Sequence, residues 1–520
     1  MSAANNTSQP DNIAMAKRIA EQEALIAKQN ALIEAQEKRI SLLEEIVRFE
    51  KLKKYGASSE KSPDQHDMFN EAELVEAANQ LAEVGEPALA PEESSKTRAE
   101  KGRKPLPSEL PRIRIEHDIS EADKTCSCGC QRVAIGEECS EQLDVIPAKI
   151  QVLVHARKKY ACLRCEDGVQ TARLPAQPIP KSNASAGLLA HIATQKYQDA
   201  LPLYRQEAIL ARCGIEIPRS TLANWMIKAG ELIQPLINLL SEQQLSYPIL
   251  HCDETSVQVL HEPGKKPTSK SYMWVRVGGP PTQSIRLFHY ADSRSGDVVN
   301  ELLAEYQGYL QTDDYAGYNA VADKEGITQL GCWAHARRKF IEAQKANPKH
   351  KTGKADMAIS YITRLYAIEK DIKNQPTEER YRIRQEQSIP LLNIIKEWMY
   401  KTLSRTVPKG LLGKALNYLN KNWEKLTVYT QDGRLNIDNN PAENAIRPFV
   451  VGRKNWLFSA TVEGATSSAN LYSLIETAKA NGLEPYTYLK KVFSELPKAK
   501  NVDSVETLLP WNIESEDGVC

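Results

Sequence analysis

The segment SYPILHCDETSVQVL (residues 246–260) alternates polar and apolar side chains in its second half and is typical of a β-strand. It carries an acidic residue, Asp253, near its middle. The next two stretches, SYMWVRVGG (271–279) and QSIRLFHYA (283–291), predict a hairpin across a Gly-Pro turn. These three strands indicate the beginning of a sheet, and the chain on either side shows what kind of sheet it is.

Helix and strand patterns alternate downstream of the hairpin. A helix is predicted over 296–306, GYLQTDDYAGY (308–318) predicts a strand that runs into a turn, and ITQLGCWAHARRKF (327–340) predicts a strand that leads into a helix. This order of three strands, helix, two strands and helix favours a mixed α/β sheet over residues 245–344. We therefore predict a multidomain α+β protein built around this sheet.

Helical periodicity replaces the strand pattern after the sheet. Apolar stripes recur through residues 345–435, which predicts an all-α insertion. The segment LNIDNNPAENAIRPFVVGRKNWLF then predicts a return to the core over residues 436–465. A further helical segment and an acidic tail occupy residues 466–520.

Three carboxylates stand out in these segments. Asp253 lies in the first strand, Asp313 at the end of the fourth, and Glu443 at the start of the helix after the insertion. Acidic side chains at strand ends and on a facing helix can converge at one edge of a sheet. Hard oxygen ligands in that geometry hold two Mg²⁺ ions about 4 Å apart, as phosphoryl transfer requires. The pattern therefore predicts a divalent-metal site.

The residues alone leave alternatives for each acid. Two of the three have an acidic neighbour that could be the ligand instead, Glu254 beside the first and Asp314 beside the second. With Asn440 as an N-cap and Pro441 as the first helical residue, Glu443 would occupy the capping-box position. A glutamate in that position has a structural role and needs no metal.

Residues 171–240 are predicted to be helices interrupted by a glycine turn. Gly214 can adopt the left-handed conformation that ends one helix, and Ser220 can cap the next, which is the pattern of a helix-turn-helix. The second helix would expose three polar side chains to DNA, Arg219, Asn224 and Lys228. An ordinary helical hairpin with a solvated charged face is the alternative.

Two cysteine clusters bracket a strand-like stretch within residues 112–170. TCSCGC (125–130) contains three cysteines, and YACLRC (160–165) contains a CxxC pair. Tetrahedral zinc takes four such ligands from two knuckles, so the spacing predicts a structural Zn²⁺ site, with small buried thiols as the alternative. The predicted ligands are Cys126, Cys128, Cys162 and Cys165, with Cys130 as a substitute for either of the first two.

Residues 1–55 carry an apolar repeat of seven residues at Ile19, Ile26, Ile33, Ile40 and Val47. A stripe that stays in step over four heptads favours a coiled coil and hence a homo-oligomer. Because the other seam is glutamine-rich, a solitary amphipathic helix stays open. Residues 56–111 are interpreted as an acidic, Pro-rich linker.

Composition excludes some classes of protein and permits others. The chain has 67 basic and 67 acidic residues, but residues 1–100 hold 12 Lys+Arg against 19 Asp+Glu, which leaves +7 on the remaining chain. A basic body permits nucleic-acid binding. No apolar run approaches the roughly 20 residues of a membrane span. The polar N-terminus is not a secretory signal, so we expect a cytoplasmic protein.

Motifs along the chain together resemble one known family. The transposases of the insertion-sequence-66 family are similar to HCDETSVQVL (251–260), LQTDDYAGYNAV (310–321), GCWAHARRKF (331–340), DNNPAENAIRPFVVGRKNWLFSA (438–460) and LYSLIETAKANGLEPYTYL (471–489). KYGASSEKSPDQHDMFNEAE (54–73), the two cysteine knuckles and SEQLDVIPAKIQV (140–152) resemble the family's N-terminal region and zinc-binding domain. The resemblance covers nearly the whole chain in the family's order.

The resemblance implies an RNase H-like catalytic domain with a D-D-E triad that uses Mg²⁺ or Mn²⁺. Carried over by motif, the triad is Asp253 of CDET, Asp313 of TDDYAGY and Glu443 of NNPAEN. The family more often has glycine where this chain has Asp314, which supports Asp313 as the ligand. Such an enzyme binds double-stranded DNA at the element ends, cleaves it and joins the 3′-hydroxyl ends to target DNA.

Two further sets of residues belong near the predicted site. Cys332 and His335 in CWAH resemble the CxxH motif that several D-D-E transposases carry ahead of a helical insertion. We interpret this pair as structural, with metal binding as the alternative. The residues predicted to contact DNA phosphates are Arg337, Arg338, Lys339, Arg447, Arg453 and Lys454. A solvated basic face is the alternative.

Binding to DNA would make the cytoplasmic protein nucleoid-associated, and the family implies small accessory proteins of the same element as partners. Two other functions stay open. One is a different RNase H-like DNA nuclease, such as a junction resolvase. The other is a catalytically inactive DNA-binding regulator.

Overall fold

The computed structural model describes helical positions between residues 15 and 47, and residues 112–115, 130, 142, 150–161, 169–322, 324–346 and 353–513. The chain divides into two compact units, one of residues 1–85 with 176–513 and one of residues 86–175 with 514–520. The predicted linker and four of the predicted zinc ligands lie outside the described residues; these ligands are Cys126, Cys128, Cys162 and Cys165.

The N-terminal heptad is described at four of its five positions, since Ile19 lies outside the described residues. Ile26, Ile33, Ile40 and Val47 are all helical, and each is at least 50% exposed. The helical conformation agrees with both interpretations of this segment. A helix that forms a coiled coil with a second copy exposes such an apolar stripe when it is seen as a single chain.

The smaller unit contains a short antiparallel pair, β1 (Lys159–Ala161) and β2 (Val169–Thr171), with Tyr160 opposite Gln170. Cys130 is described and exposed. The prediction of a strand across the stretch between the cysteine clusters is wrong for residues 150–158, which have no regular secondary structure. Val152 and Val154 are 87% and 85% exposed there, so apolar alternation alone does not form a strand without a surface to bury against.

From residue 176 onward, the larger unit continues with four helices: α1 (Ala186–Tyr197), α2 (Leu203–Arg212), α3 (Arg219–Leu232) and α4 (Gln234–Leu245). Gly214 follows α2 with a φ of 76°, as predicted for a left-handed helix end. The prediction of Ser220 as an N-cap is wrong, because Pro218 is the N-cap residue of α3 and Ser220 is its second helical residue. The φ that the Pro218 ring fixes suits the approach to a helix. Leu222, Trp225 and Met226 are buried.

A mixed sheet forms the centre of this unit, as the sequence predicts. Its described strands are β3 (Ile249–His261), β4 (Lys270–Gly278), β5 (Ile285–Ala291), β6 (Gly308–Gln311), β7 (Ile327–Leu330) and β8 (Ser459–Thr461). The spatial order is β5-β4-β3-β6-β7. β4 is antiparallel to β3, and β5 is antiparallel to β4. On the other side of β3, β6 runs parallel to β3 and β7 runs parallel to β6.

Two helices connect the strands on the β6 side. The predicted helix over 296–306 is observed as α5 (Gly296–Leu302), four residues shorter than predicted, and α6 (Asn319–Ala322) precedes β7. They cover a small apolar core that contains Leu250, Cys252 and Trp274. On the opposite face of the sheet, Val257 and Val259 belong to the main core of the unit.

The described residues of the predicted insertion are mainly helical, and they share a hydrophobic core with α7 and β7. Its helices follow α7 (Trp333–Lys345), and they are α8 (Lys354–Asp371), α9 (Thr377–Ile383), α10 (Ile389–Leu403), α11 (Leu411–Lys421) and α12 (Trp423–Thr427). Ile395, Met399 and Leu416 lie in this core together with Trp333 and Phe340 of α7. The helix that leaves the sheet is therefore packed into the insertion.

A buried arginine fixes the end of the insertion. Arg384 has no exposed side-chain surface and forms an ion pair with Glu369. Its guanidinium also donates hydrogen bonds to the carbonyls of Tyr429, Asp432 and Leu435. Buried charges are tolerated when they are paired and fully hydrogen-bonded. The chain thus leaves the insertion at a defined place, just before the predicted glutamate helix.

The C-terminal helices are α13 (Asn440–Trp456), α14 (Val462–Ala480), α15 (Pro485–Glu495) and α16 (Val502–Glu506). Ser473 and Thr477 of α14 accept hydrogen bonds from the backbone amides of Phe288 and Arg286, so this helix closes the free edge of β5. A Cβ on Gly230 of α3 would lie 2.5 Å from Ser467, which shows how closely α3 approaches α14. No helix in the described part of the chain is long and apolar enough to span a membrane.

Candidate active site

The register of the parallel strands aligns the two predicted aspartates. His251 of β3 pairs with Gln311 of β6, and Asp253 and Asp313 each follow that pair by two residues. Adjacent strands lie about 4.8 Å apart, so residues at the same level of parallel strands are neighbours. The same count places Cys332 level with Asp313, because Gln311 pairs with Leu330 of β7. The carboxyl ends of β6 and β7 therefore meet β3 at one edge.

Asp253 faces the helix that carries Glu443. Alternate residues of β3 point to the same face, so Asp253 shares its face with Thr255 and Val257. Arg453 of α13 donates a hydrogen bond of 3.1 Å to Thr255 Oγ1, and Val257 lies in one hydrophobic core with Ile446 of α13, which identifies this as the face that α13 covers. Asp253 is partly exposed, and its Oδ1 accepts a hydrogen bond of 2.8 Å from the Glu254 amide.

Asp313 and Asp314 have different surroundings. Asp313 Oδ1 accepts a hydrogen bond of 2.9 Å from the Tyr315 amide, and its Oδ2 lies 4.0 Å from Arg294 Nη2. Asp314 is paired with Lys421 of the insertion, with an Nζ–Oδ1 distance of 3.1 Å. The first aspartate therefore faces the sheet edge, and the second faces the insertion.

Glu254, the alternative to Asp253, is occupied by an ion pair in a buried environment. Arg294 Nε donates to its Oε1 at 2.7 Å, and Tyr318 OH donates to its Oε2 at 2.8 Å. Burial raises the pKa of Glu254 to about 7, the negative charge of Asp313 adds to this, and Arg294 opposes it. Because successive residues of a strand point to opposite faces, Glu254 lies on the opposite face of β3 from Asp253.

Arg294 is a residue that the sequence analysis missed. Its guanidinium lies between Glu254 and Asp313 and stacks on the Tyr315 ring, 3.6 Å from the ring centroid. It follows β5 in the loop ADSRSGD, where neither periodicity nor a motif distinguishes it. The signal that could have found it is the need of a buried Glu254 for a counter-charge.

Asn439 fixes the start of the glutamate helix. It is the N-cap residue of α13, but its side chain makes no capping hydrogen bond. Instead its Nδ2 donates to the Cys252 carbonyl at 2.9 Å, and its Oδ1 lies 3.2 Å from His251 Nδ1. The predicted N-cap, Asn440, is the first helical residue, so the capping-box interpretation of Glu443 is wrong. Tertiary bonds to β3 have replaced the local cap.

The loop before α13 is bonded to strand β6 and to the first residue of α7. Gln311 of β6 donates from Nε2 to the Asn436 carbonyl at 3.0 Å, and the Trp333 amide donates to the Ile437 carbonyl at 3.2 Å. His251 lies between Asn436 and Asn439, and burial lowers its pKa to about 4, so its imidazole is neutral near pH 7. These bonds hold α13 against the edge where β3, β6 and β7 meet.

Glu443 lies in the first turn of α13, and its side chain is 9% exposed. Its Oε1 is 3.8 Å from His335 Nδ1. Cys332 Sγ, a His335 ring nitrogen and a Glu443 carboxylate oxygen all lie within 4.8 Å of one another. The structure thus brings the CxxH motif to the third predicted acid.

The predicted DNA-binding residues fall into two groups. Arg219, Asn224 and Lys228 of α3 are exposed, and so is Lys454 of α13. The others are partly buried; Lys339 stacks on the Tyr418 ring at 4.7 Å, and burial lowers the pKa of Arg337. This partly buried group is Arg337, Arg338, Lys339, Arg447 and Arg453.

Family descriptions match the chain in four segments. "Transposase IS66 family" matches residues 181–467, which include all three predicted acids, and "IS66 C-terminal element" matches 473–511. Upstream, "Transposase C of IS166 homeodomain" matches 42–115, and "zinc-finger binding domain of transposase IS66" matches 123–166.

Relatives in Sinorhizobium fredii (strain NBRC 101917 / NGR234) are similar over most of the chain. The uncharacterized protein y4qI is 32% identical over 96% of this chain and 94% of its own length. The uncharacterized protein y4jD is 33% identical over 79% of this chain and 82% of its own. No solved structure matches. The extent of the family match and of these relatives shows that the chain belongs to the IS66 family of transposases.

Proposed function

We propose that this transposase binds the ends of its insertion sequence, cleaves them by metal-dependent phosphodiester hydrolysis and transfers the 3′-hydroxyl ends to target DNA. The observation that carries the proposal is the shared level of Asp253 and Asp313 on parallel strands, with Glu443 arriving on the helix that covers Asp253. Catalytic groups of open α/β sheets lie at the carboxyl ends of parallel strands. In this proposal the three acids are the catalytic residues.

The donor set fits Mg²⁺ or Mn²⁺, because three carboxylates provide hard oxygen ligands. Asp253 and Asp313 are partly exposed, so both a cation and a DNA phosphate can reach them. A bound divalent pair would supply an activated water and neutralise charge on the scissile phosphate. The protein's contribution is to hold the carboxylates in place. The sheet fixes the two aspartates, and the Asn439 bonds fix the helix of Glu443.

The strand order supports an RNase H-like core. The first strand, β3, is central, with an antiparallel hairpin on one side and two parallel strands on the other. Asp253 lies on that strand, and Asp313 directly follows the fourth. We therefore assign the sheet and α13 to the catalytic core, interrupted by the helical insertion.

We assign end recognition to the helices before the sheet. α3 exposes Arg219, Asn224 and Lys228, which can contact DNA in the manner of a recognition helix. Lys454 on α13 and the partly buried cations near it would contact the phosphate backbone. Because α3 also packs against α14 at Gly230, bound DNA would have a fixed position relative to the sheet.

The remaining segments have supporting roles in this proposal. The matched zinc-finger region would hold Zn²⁺ through its cysteine knuckles. The exposed heptad stripe would pair two copies as a coiled coil, so that one homo-oligomer joins two element ends. We propose a cytoplasmic, nucleoid-associated enzyme that works with accessory proteins of the same element.

A cleavage assay with labelled element ends and Mg²⁺ tests the catalytic assignment. Asp253→Asn, Asp313→Asn and Glu443→Gln should each abolish end cleavage and strand transfer while DNA binding persists. Asp314→Asn is the matched control, because Asp314 is paired with Lys421 and should not be needed for cleavage. Full activity of Glu443→Gln would remove that residue from the triad.

The same assay separates the alternative functions. End binding by the parent chain without cleavage in Mg²⁺ or Mn²⁺ would identify a DNA-binding regulator. Cleavage of four-way junctions, with linear element ends left intact, would identify a resolvase-type nuclease. Joining of cut ends to a target plasmid is the outcome that the proposal requires.

A further inference from the structure

Three side chains of different chemistry meet where α7 begins. Cys332 is the N-cap residue of α7, and His335 lies three residues later, so both are on one side of its first turn. Glu443 reaches them from the first turn of α13, and the three donor atoms lie within 4.8 Å of one another. The loop bonds before α13, including the Trp333–Ile437 bond, hold the two helix ends together.

The donor set differs from that of the predicted catalytic acids. Thiolate sulfur, imidazole nitrogen and carboxylate oxygen together suit Zn²⁺, whereas Mg²⁺ prefers oxygen ligands alone. Donor atoms that each lie about 2.0 to 2.3 Å from a zinc ion are within about 4 Å of one another, so the cluster needs to contract by no more than about 1 Å. Three protein ligands leave a fourth position for water.

The surroundings of the cluster favour a bound cation. Cys332 has no exposed surface, and the Glu443 side chain is 9% exposed. The Asn439 amide donates a hydrogen bond to Cys332 Sγ at 3.3 Å, and the N-terminal end of α7 favours negative charge. The buried side chains of Cys332 and Glu443 can both bind a cation in their deprotonated forms. A divalent cation between them would neutralise both.

We propose that Cys332, His335 and Glu443 form a Zn²⁺-binding site that is separate from the cysteine knuckles. The site itself does not depend on the proposed cleavage reaction. Its consequence does, because Glu443 would be shared with the catalytic metals. Zinc that holds Glu443 withdraws the third catalytic ligand, so zinc would compete with Mg²⁺ and inhibit cleavage.

The zinc content of the full-length chain tests the site. The protein is loaded with ZnCl₂, freed of weakly held metal by gel filtration and analysed for zinc per chain. Cys332→Ser should hold one zinc fewer than the parent. Cys213→Ser is the matched control, because it removes an exposed thiol away from the cluster and should leave the content unchanged. Equal zinc contents in Cys332→Ser and the parent would overturn the proposal.

Because Cys332 is fully buried, its replacement can destabilise the fold, so the test includes a second variant. The His335 side chain is 17% exposed, so His335→Gln should keep the fold, as checked by its thermal melt. It should also lose one zinc. Asp253→Asn should retain all of its zinc, which separates this site from the catalytic one. Full zinc retention by a folded His335→Gln chain would contradict the proposed ligand set.

Zinc inhibition of cleavage tests the shared glutamate. Micromolar ZnCl₂ should inhibit Mg²⁺-dependent cleavage by the parent, and added Mg²⁺ should restore it. The zinc concentration for half-inhibition should rise about tenfold or more in His335→Gln, as expected when a metal site loses a ligand. Equal inhibition of both proteins would show that the sites do not share Glu443. A parent that never cleaves would refute the proposed function, while the zinc content would still decide the site.

Discussion

Two carboxylate clusters lie along β3, and they are built in different ways. Glu262, just after the strand, is buried and accepts hydrogen bonds from Ser271 Oγ and Tyr290 OH, with Lys265 Nζ 3.6 Å away. Asp253 and Asp313 are instead partly exposed and meet at the level where β6 ends. From this difference we expect that Glu262, which is enclosed by fixed hydroxyl donors, stabilises the fold, whereas the aspartates at the accessible sheet edge are available to bind a ligand.

The largest effect should come from Asp253→Asn. Loss of a metal-binding carboxylate removes several kcal/mol of transition-state stabilisation, and about 4 kcal/mol corresponds to roughly a 1000-fold loss of cleavage rate. The melting temperature should change little, because Asn keeps the size of the side chain. Single-turnover cleavage and a thermal melt measure the two quantities. A variant that loses stability but keeps its cleavage rate would show that Asp253 has a structural role like that of Glu262.

Asn439→Ala should affect stability and cleavage together. The variant removes the side-chain bonds to the Cys252 carbonyl and to His251, both of which are buried. Leaving these groups without partners should cost about 3 kcal/mol in the free energy of unfolding. Urea denaturation measures this loss. Cleavage should fall because the helix of Glu443 is no longer fixed. Unchanged cleavage in the folded variant would contradict the positioning role of Asn439.

Glu254→Gln should change how stability depends on pH. Because the folded pKa of Glu254 is raised from 4.5 to about 7, the folded chain holds the proton more tightly than the unfolded chain. Its contribution is present below pH 4.5 and is lost as pH rises through 7, a change of about 2 kcal/mol between pH 5 and 7. The variant should lack this slope in urea denaturation series. Identical slopes of unfolding free energy against pH in the parent and the variant would show that folding does not raise the pKa of Glu254.

The smallest effect should come from Glu262→Gln. Gln keeps an acceptor for one of the two hydroxyl donors but loses the charge that faces Lys265. The expected loss is about 1 kcal/mol in the free energy of unfolding. Cleavage should stay at the parental rate when measured well below the melting temperature. A large loss of cleavage with intact stability would remove the distinction between the two clusters.

Local sequence patterns predicted the strands and helices well where burial follows a simple period. The alternation in β3 and the stripes of α10 and α11 are cases in which one face meets a core. The failures came from long-range bonds. Asn440 has the local features of an N-cap, but the bonds of Asn439 to β3 moved the start of α13. Residues 150–158 alternate like a strand without forming one.

The site shows the same limit. The acidic pattern together with the family resemblance selected Asp253, Asp313 and Glu443 as candidates, but the strand register is what brings the two aspartates to one level. Arg294 could not be selected, because its role depends on Glu254, which lies 40 residues away in the chain. The nearness of His335 to Glu443 likewise arises from the packing of two helix ends, since the two residues are 108 positions apart in the chain.

The insertion between β7 and α13 has a consequence for the order of events during synthesis. The first two acids are synthesised well before Glu443, and the helices between them and α13 are joined to the loop before α13 through Arg384. Closing so long a loop is slow relative to forming local contacts. A nascent chain that lacks α13 therefore lacks one of the three proposed catalytic acids, so on the proposed function we expect it to cleave no DNA until α13 has packed against the sheet.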